Sequence, residues 1–436
     1  MTTIRRAITL LPALTLLTAY SLAQAPPAFT TLFNFPSKTE GGNPQTGLVM
    51  GNHGQLYGTT NLGGTLNLGT VFELTPPAAA GEGWTENVIH NFHGTPDGSY
   101  PDAILTVGSN GVVYGETEGG GIGYFGTVFE LTPPTTPGEA WTETVLYTFP
   151  GGSSGYYPAG GLFLATNGTL YGVAEFGGAA CSCGTVFELT PPATPGGAWA
   201  QTTLYTFQAD ADGADPQGGL VMSLNGTLYG TTYRGGIYGY GTAFQLTPPA
   251  SPGGAWRETV LHTFSGSQLD GSKPMAGLIL GNGGALYGTA SSGGLLPACS
   301  EGCGMVFELT PPGPDGTAWT EHIVYTFSGF PIDGQNPVAP LAFGENGILY
   351  GTTEDGGTGT CSPDRVGLPG CGTVFQLTPA VGGTWTETIL HNFMGASDGA
   401  RPFGGVAVGP SGNLFGTASQ SGKLGICCGT VFALTP

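Results

Sequence analysis

The chain has 436 residues, of which 81 are glycine and 35 proline, and carries a formal net charge of −20 on only 9% charged residues. Glycine and proline at this density exclude long helices. Nine basic residues against 29 acids exclude a phosphate backbone or an anionic membrane as partner. Hydrophobic residues at 39% and aromatics at 11% exclude a disordered chain.

The first element is a targeting segment. Arg5 and Arg6 form a basic start, residues 8–22 are apolar, and Ala23-Gln24-Ala25 fits a small-x-small cleavage site. Residues 1–25 therefore read as a signal peptide, with a secreted mature chain from Pro26. The apolar run is short for a span and contains Pro12, so an integral membrane protein is not expected. The last residues, VFALTP, are repeat sequence, and no sorting tail is expected there.

Residues 26–436 read as one domain built on a repeat. A Tyr-Gly pair returns at Tyr57, Tyr114, Tyr171, Tyr229, Tyr287 and Tyr350, and as Phe415-Gly416, at spacings of 57 to 65 residues. The second copy shows the contents of a unit. It holds a strand-like piece at 102–108, an Asn110-Gly111 hairpin turn, pieces at 112–117 and 126–132, and a Trp-led piece at 141–149. Four antiparallel strands in a unit of this length predict a propeller blade. The third piece occurs in seven copies and the Trp-led fourth piece in six. The missing fourth piece lies at the other end, because FTTLFNF (29–35) has the form of TVLYTF. The fold class expected is therefore all-β: a seven-bladed propeller closed by its N-terminal strand and monomeric.

The unit LYGTT, GG, GTVFELTPP, WTETVLYTF resembles the GloVer tandem repeat of secreted bacterial choice-of-anchor proteins, over essentially all of 28–436. That resemblance implies export and often surface attachment. It brings no catalytic residues.

Strand order places the second-to-third loops and the blade-to-blade loops on one face. The blade-to-blade loop reads x-Gly-x-x-Pro, with Asp97, Asp212, Asp270, Asp333 or Asp398 as its usual first residue. The readings are an Asx turn or a ring of carboxylates that attracts a cation. The residue before the proline is Asn43, Tyr100, Tyr157, Asp215, Lys273, Asn336 or Arg401. Turn geometry does not dictate this slot, which makes Tyr100, Tyr157, Asp215, Lys273 and Arg401 candidate ligand contacts. Residues 209–215 resemble part of a calcium loop, but Ala214 stands where a ligand is needed, and no cofactor is called beyond that trace of calcium.

The second-to-third loops sort by length. Three are short and lack cysteine. Four longer ones carry Cys181/Cys183, Cys299/Cys303, Cys361/Cys371 and Cys427/Cys428, which reads as one disulfide per loop in an oxidising compartment. Metal sites are the alternative, weakened by the lack of histidine beside the pairs. His90, His262 and His391 share a fourth-strand slot with Tyr147, Tyr205 and Tyr325 and read as structural, while His93 and His322 show no partner.

Departures from the repeat are where single-use chemistry belongs: Glu116, Glu118, Glu175, Arg234, Glu354, Asp355 and Lys423. No nucleophile motif, metal cluster or phosphate loop accompanies them. The leading expectation is a non-catalytic binding or scaffold propeller that takes an extracellular glycan, a protein or a cation on its loop-rich face. The alternative is a secreted polysaccharide-active enzyme. A deep axial pocket with paired carboxylates favours the enzyme, and a face with exposed tyrosines favours binding.

Overall fold

A computed structural model describes residues 26–436, apart from 37–38, 80, 137, 179, 195, 252, 295–298, 314–315, 362–368 and 421–427. The signal-peptide reading and Lys423 lie outside the described residues. Among those described, regular structure is strand, with three single-turn 3₁₀ segments.

Seven four-stranded antiparallel sheets follow one another in chain order. Blades 1 to 6 span 49–91, 106–148, 156–206, 221–263, 279–326 and 342–392. Blade 7 takes its inner three strands from 406–435 and its outermost from Ala28–Asn34. There Phe29 pairs with Leu434, Thr31 with Phe432 and Asn34 with Thr430. The expected closure is present, and the ring is a seven-bladed propeller.

The innermost strands are shorter than the sequence suggests. In blade 2 only Thr106–Val107 joins the ladder, not 102–108. The residues before it are small and run along the axis, where backbones touch. A Cβ on Gly47 would fall 2.4 Å from the Gly404 carbonyl oxygen, and one on Gly277 would fall 2.4 Å from that of Gly219.

The Tyr-Gly pair has a packing cause. A Cβ on Gly115 would lie 2.4 Å from the ring of Phe129 on the neighbouring strand, so only glycine admits that ring. Phe129 in turn meets Phe92 of blade 1 edge-on at 5.2 Å. Equivalent pairs, such as Phe149–Phe187 at 5.3 Å and Phe327–Phe375 at 5.1 Å, recur at every seam. Such an aromatic pair contributes about 0.5–1.5 kcal/mol beyond its buried area. The tyrosine itself packs on the tryptophan of the next blade, as Tyr57 does on Trp141 at 5.8 Å.

Two-residue bridges tie each blade-to-blade loop to a second-to-third loop, for example Ser99 to Gly119 and Ala214 to Arg234, so both sets share one face. On that face Cys181–Cys183, Cys299–Cys303 and Cys361–Cys371 are disulfides within single loops, as expected. Cys428 is buried, and Cys427 lies outside the described residues.

Candidate functional site

Each strand that approaches the axis is preceded by a proline and a variable residue. In ring order the residue after the proline is Gln45, Asp102, Ala159, Gln217, Met275, Val338 and Phe403, and all seven line one axial cavity of about 390 Å³. The two residues that follow are mostly glycine or alanine because the axis admits little else. The wall is therefore divided. Blades 1, 2 and 4 offer amides and a carboxylate, and blades 5, 6 and 7 offer Met275, Val338 and Phe403.

Three of the residues singled out by sequence converge on the polar side: Tyr157, Glu118 and Glu175. Asp102 completes the group. Its side chain is reached by solvent inside the cavity yet is enclosed by protein. Burial, reinforced by Glu118 and Glu175, pushes its pKa up to about 7. Burial also raises Glu118. Glu175 is raised by burial, against the hydrogen bond donated by Gln217 Nε2 at 2.8 Å, with Asp215 and Glu118 adding to the rise. No lysine, arginine or histidine lines the cavity among the described residues. The nearest compensation is Arg234, which is 67% exposed and lies 3.5 Å from Asp215.

Of the other candidates, Asp215 and Arg234 stand beside this group, Glu354, Asp355, Arg401 and Lys273 lie further round the ring, and Glu116 lies inside the wall. Asn336 Nδ2 donates to Glu354 at 2.6 Å, and Arg401 reaches Glu354 at 3.4 Å and Asp355 at 3.9 Å. Burial pushes Asp355 to about 7, with Glu354 adding and Arg401 opposing. Lys273 pairs with Glu301 at 2.6 Å. Glu116 is fully buried off the channel, where one oxygen accepts the Gly161 N–H at 3.1 Å. It fills a slot that holds threonine in most blades, where for example the Thr231 hydroxyl donates to the Ala276 carbonyl at 2.8 Å. Burial holds the Glu116 pKa well above the usual range.

Three sequence expectations need correction or extension. The pre-proline slot is not free of turn geometry. All seven of its residues, Tyr100, Tyr157, Asp215, Lys273 and Arg401 among them, sit in the left-handed region at φ from 55° to 59°. Each N–H that is bonded reaches back to the preceding loop, as Tyr157 does to the Phe125 carbonyl at 3.0 Å. The loop aspartates do cap their own turns, but they also bind the fourth-strand slot. His262 meets Asp270 at 3.1 Å, and the Tyr205 and Tyr325 hydroxyls donate to Asp212 and Asp333. Histidine and tyrosine share that slot because both are donors. His93 and His322 do have partners, Asp97 at 3.0 Å and the Thr310 hydroxyl at 3.4 Å.

Sequence reading missed Asp102, Gln45 and Gln217. The available signal was the slot one residue after the proline, which switches from polar to apolar around the ring between residues that stay small.

Exposed apolar side chains are unevenly divided. Leu66, Tyr100, Ile122, Tyr124, Ile237 and Tyr238 all lie on the loop-rich face, with Tyr240 beside them. The opposite face holds Leu224, Phe343 and Val381.

Among solved structures, the chain resembles PorZ, a surface component of the type-IX secretion system of Porphyromonas gingivalis, at TM-score 0.49 and 13% identity, covering 89% of this chain and 46% of that one. It therefore spans about half of that protein. It resembles a polysaccharide lyase, an ulvan lyase, at TM-score 0.44 and 10% identity, over 75% of this chain and 83% of that one. It also resembles the soluble aldose sugar dehydrogenase of Escherichia coli at TM-score 0.43 and 13% identity, over 94% and 99%. No curated protein matches it by sequence. The family model of the Gloeobacter/Verrucomicrobia repeat matches residues 78–296 and 298–436, and the chain belongs to that family.

Proposed function

We propose that this chain is an extracellular, non-catalytic binding propeller that takes a neutral or amine-bearing glycan at the loop-rich mouth of its axial cavity. The observation that carries this reading is the divided wall. Gln45, Asp102, Gln217, Glu118 and Glu175 form a polar crescent opposite Met275, Val338 and Phe403. A sugar ring is divided in the same way, with hydroxyls at its edge and C–H groups on its faces. A volume of about 390 Å³ lies at the small end of ligand sites, so it admits a terminal sugar unit rather than a chain. The crescent repels polyanions. Loop disulfides support an oxidising compartment outside the cytoplasm.

The experiment is a glycan screen read by thermal shift on residues 26–436, repeated with Asp102→Asn and Phe403→Ala. A responding glycan should raise the melting temperature of the parent. Measured at pH 8, where Asp102 is ionised, its affinity should fall about tenfold or more in Asp102→Asn, where a charged hydrogen-bond acceptor is lost. No response from any neutral or amino glycan would remove the reading.

A second reading, a polysaccharide-active enzyme, draws on one observation. Asp102 titrates near neutrality beside two further carboxyls, which suits a proton donor. Release of reducing ends or unsaturated sugars by the parent, lost in Asp102→Asn while binding persists, would establish it in place of the first.

A further inference from the structure

The second residue of most outermost strands is a glutamate that faces the preceding seam. Glu86, Glu143, Glu258, Glu321 and Glu387 each leave one carboxyl oxygen, Oε1, buried without a hydrogen-bond partner. Five recurrences of the same vacancy in one chain are not local accidents of packing. The groups that face each glutamate are specific. Glu86 lies in the field of Glu40, and Glu143 in that of His90 and Asp97. Glu258 feels Asp212, which the Tyr205 hydroxyl also binds. Glu321 touches the pair directly: it lies 3.9 Å from His262, and its ligand oxygen lies within 4.8 Å of the ligand atoms of His262 and Asp270. Glu387 feels Asp333, which the Tyr325 hydroxyl also binds. At each of these seams the opposing loop contributes a carboxyl.

The two exceptions are informative. The seam after blade 2 has Ser154 in the loop position, and the strand residue opposite is Gln201, whose amide donates to Thr203 at 3.2 Å. Where the loop acid is missing, the strand acid is missing too. At the closing seam the loop acid Asp398 is present and bonded to His391 at 3.1 Å, but the strand residue is Phe29, stacked on His391 at 3.8 Å, so the strand acid is dispensable there. A permanent donor was thus available to the fold, and the five seams use an acid instead.

We propose that these five seams are proton-sharing carboxyl pairs, in which the strand glutamate carries a proton and binds the loop carboxylate, so that the ring is clamped in acid and loosened above neutrality. Two carboxylates in a half-buried seam cannot both ionise without repulsion. At the Asp97 and Asp270 seams the proton belongs on the glutamate; at the Glu387 seam burial raises Asp333 as well, so the proton belongs to the pair. Hydrogen bonds from His90 and His93 outweigh burial and hold Asp97 below the usual range, and those from His262 and Ser265 do the same for Asp270. Burial pushes Glu86, Glu258, Glu321 and Glu387 up to about 7, and Glu143 upward. A carboxyl raised in the folded state stabilises the fold fully below its ordinary value near 4.5. That contribution is lost as pH rises through about 7.

The test compares melting temperature from pH 5 to pH 8.5 in the parent and in E86Q/E258Q/E321Q/E387Q. The parent should lose melting temperature across this window. The variant should lose less, with up to four fewer protons linked to unfolding, one for each glutamate replaced. Buried acids away from the seams act on both proteins and cancel in the difference, while His262, whose pKa Glu321 helps to hold up, is followed by its own ring-proton shifts in both. Equal slopes, or a parent that gains stability with pH, would overturn the proposal. A titration of the folded parent followed through glutamate carboxyl carbon shifts needs no variant. It should show resonances with midpoints near 7, and midpoints confined below 5 would also overturn it. Calcium chloride at pH 8 is the remaining arm. A melting temperature raised by calcium in the parent and unmoved in the variant would make the pairs cation sites and end the proton-sharing account.

Discussion

The loop-rich face treats its acids in two ways. Around blades 2 to 4, Asp102, Glu118, Glu175 and Asp215 stand together with a single, largely exposed cation, Arg234, among them. Around blades 5 to 7, Glu354 and Asp355 are bound by Arg401 and Asn336, and Glu301 by Lys273. Both halves depart from the repeat. One departure is internally compensated and the other is left open to the cavity. A compensated charge holds loops in place. An open one, facing the apolar side of the wall, is available to something that arrives, and this is why the polar half of the binding reading rests on blades 1 to 4.

The largest effect should come from breaking the compensated half. Arg401 is 14% exposed, and its partners Glu354 and Asp355 are 18% and 4% exposed. Arg401→Leu leaves two buried acids without their cation and should cost about 3–5 kcal/mol of stability at pH 8. Arg401 lowers the pKa of both acids, so its loss raises both. The destabilisation should therefore shrink toward pH 5, where they protonate. Denaturant unfolding at the two pH values checks this. A loss that does not depend on pH would mean that Arg401 acts by packing alone.

The contrast explains what was legible beforehand. The blades were legible because Tyr-Gly, Gly-Thr-Val-Phe and the leading tryptophan each answer a packing demand repeated around the ring, six times in the case of the tryptophan, and the closing strand because six outer strands were one short. The disulfides followed loop length. The site was legible only in part. Glu118 and Glu175 stood out as departures from the repeat, but Asp102 did not, because its slot varies in every copy and only the ring order turns that variation into a divided wall. Arg401 and Tyr157 were singled out from the same pre-proline slot. Nothing in their sequence positions tells that one ends in an ion pair and the other in a cavity.

A smaller effect should come from the open half. Asp102→Asn removes an acid whose folded pKa is about 7. The native contribution of Asp102 is present below the ordinary aspartate range and lost as pH passes through 7. The variant should thus match the parent at pH 5 and melt higher at pH 8, opposite in sign to Arg401→Leu. A melting temperature lowered at pH 8 would show that Asp102 is held by contacts of its own, and the open half would be compensated after all.

The smallest effects come from a matched pair of substitutions, Arg234→Gln and Lys273→Gln, each deleting one surface cation from one half. Both ion pairs include an exposed member, 67% for Arg234 and 67% for Glu301, so each deletion should change stability by less than about 1 kcal/mol. Stability does not separate them, but titration does. Arg234 lowers the pKa of both Asp215 and Glu175, which burial has already raised, so its removal should move both further up. Carboxyl carbon shifts would record this, and the same shift should weaken any ligand that needs Glu175 ionised. Lys273 touches an acid that faces solvent, away from the cavity, so its removal should leave the cavity acids and ligand affinity unmoved. If both variants changed affinity alike, the ligand would be sensing the charge of the whole face, and the line between an open and a compensated half would not exist for it.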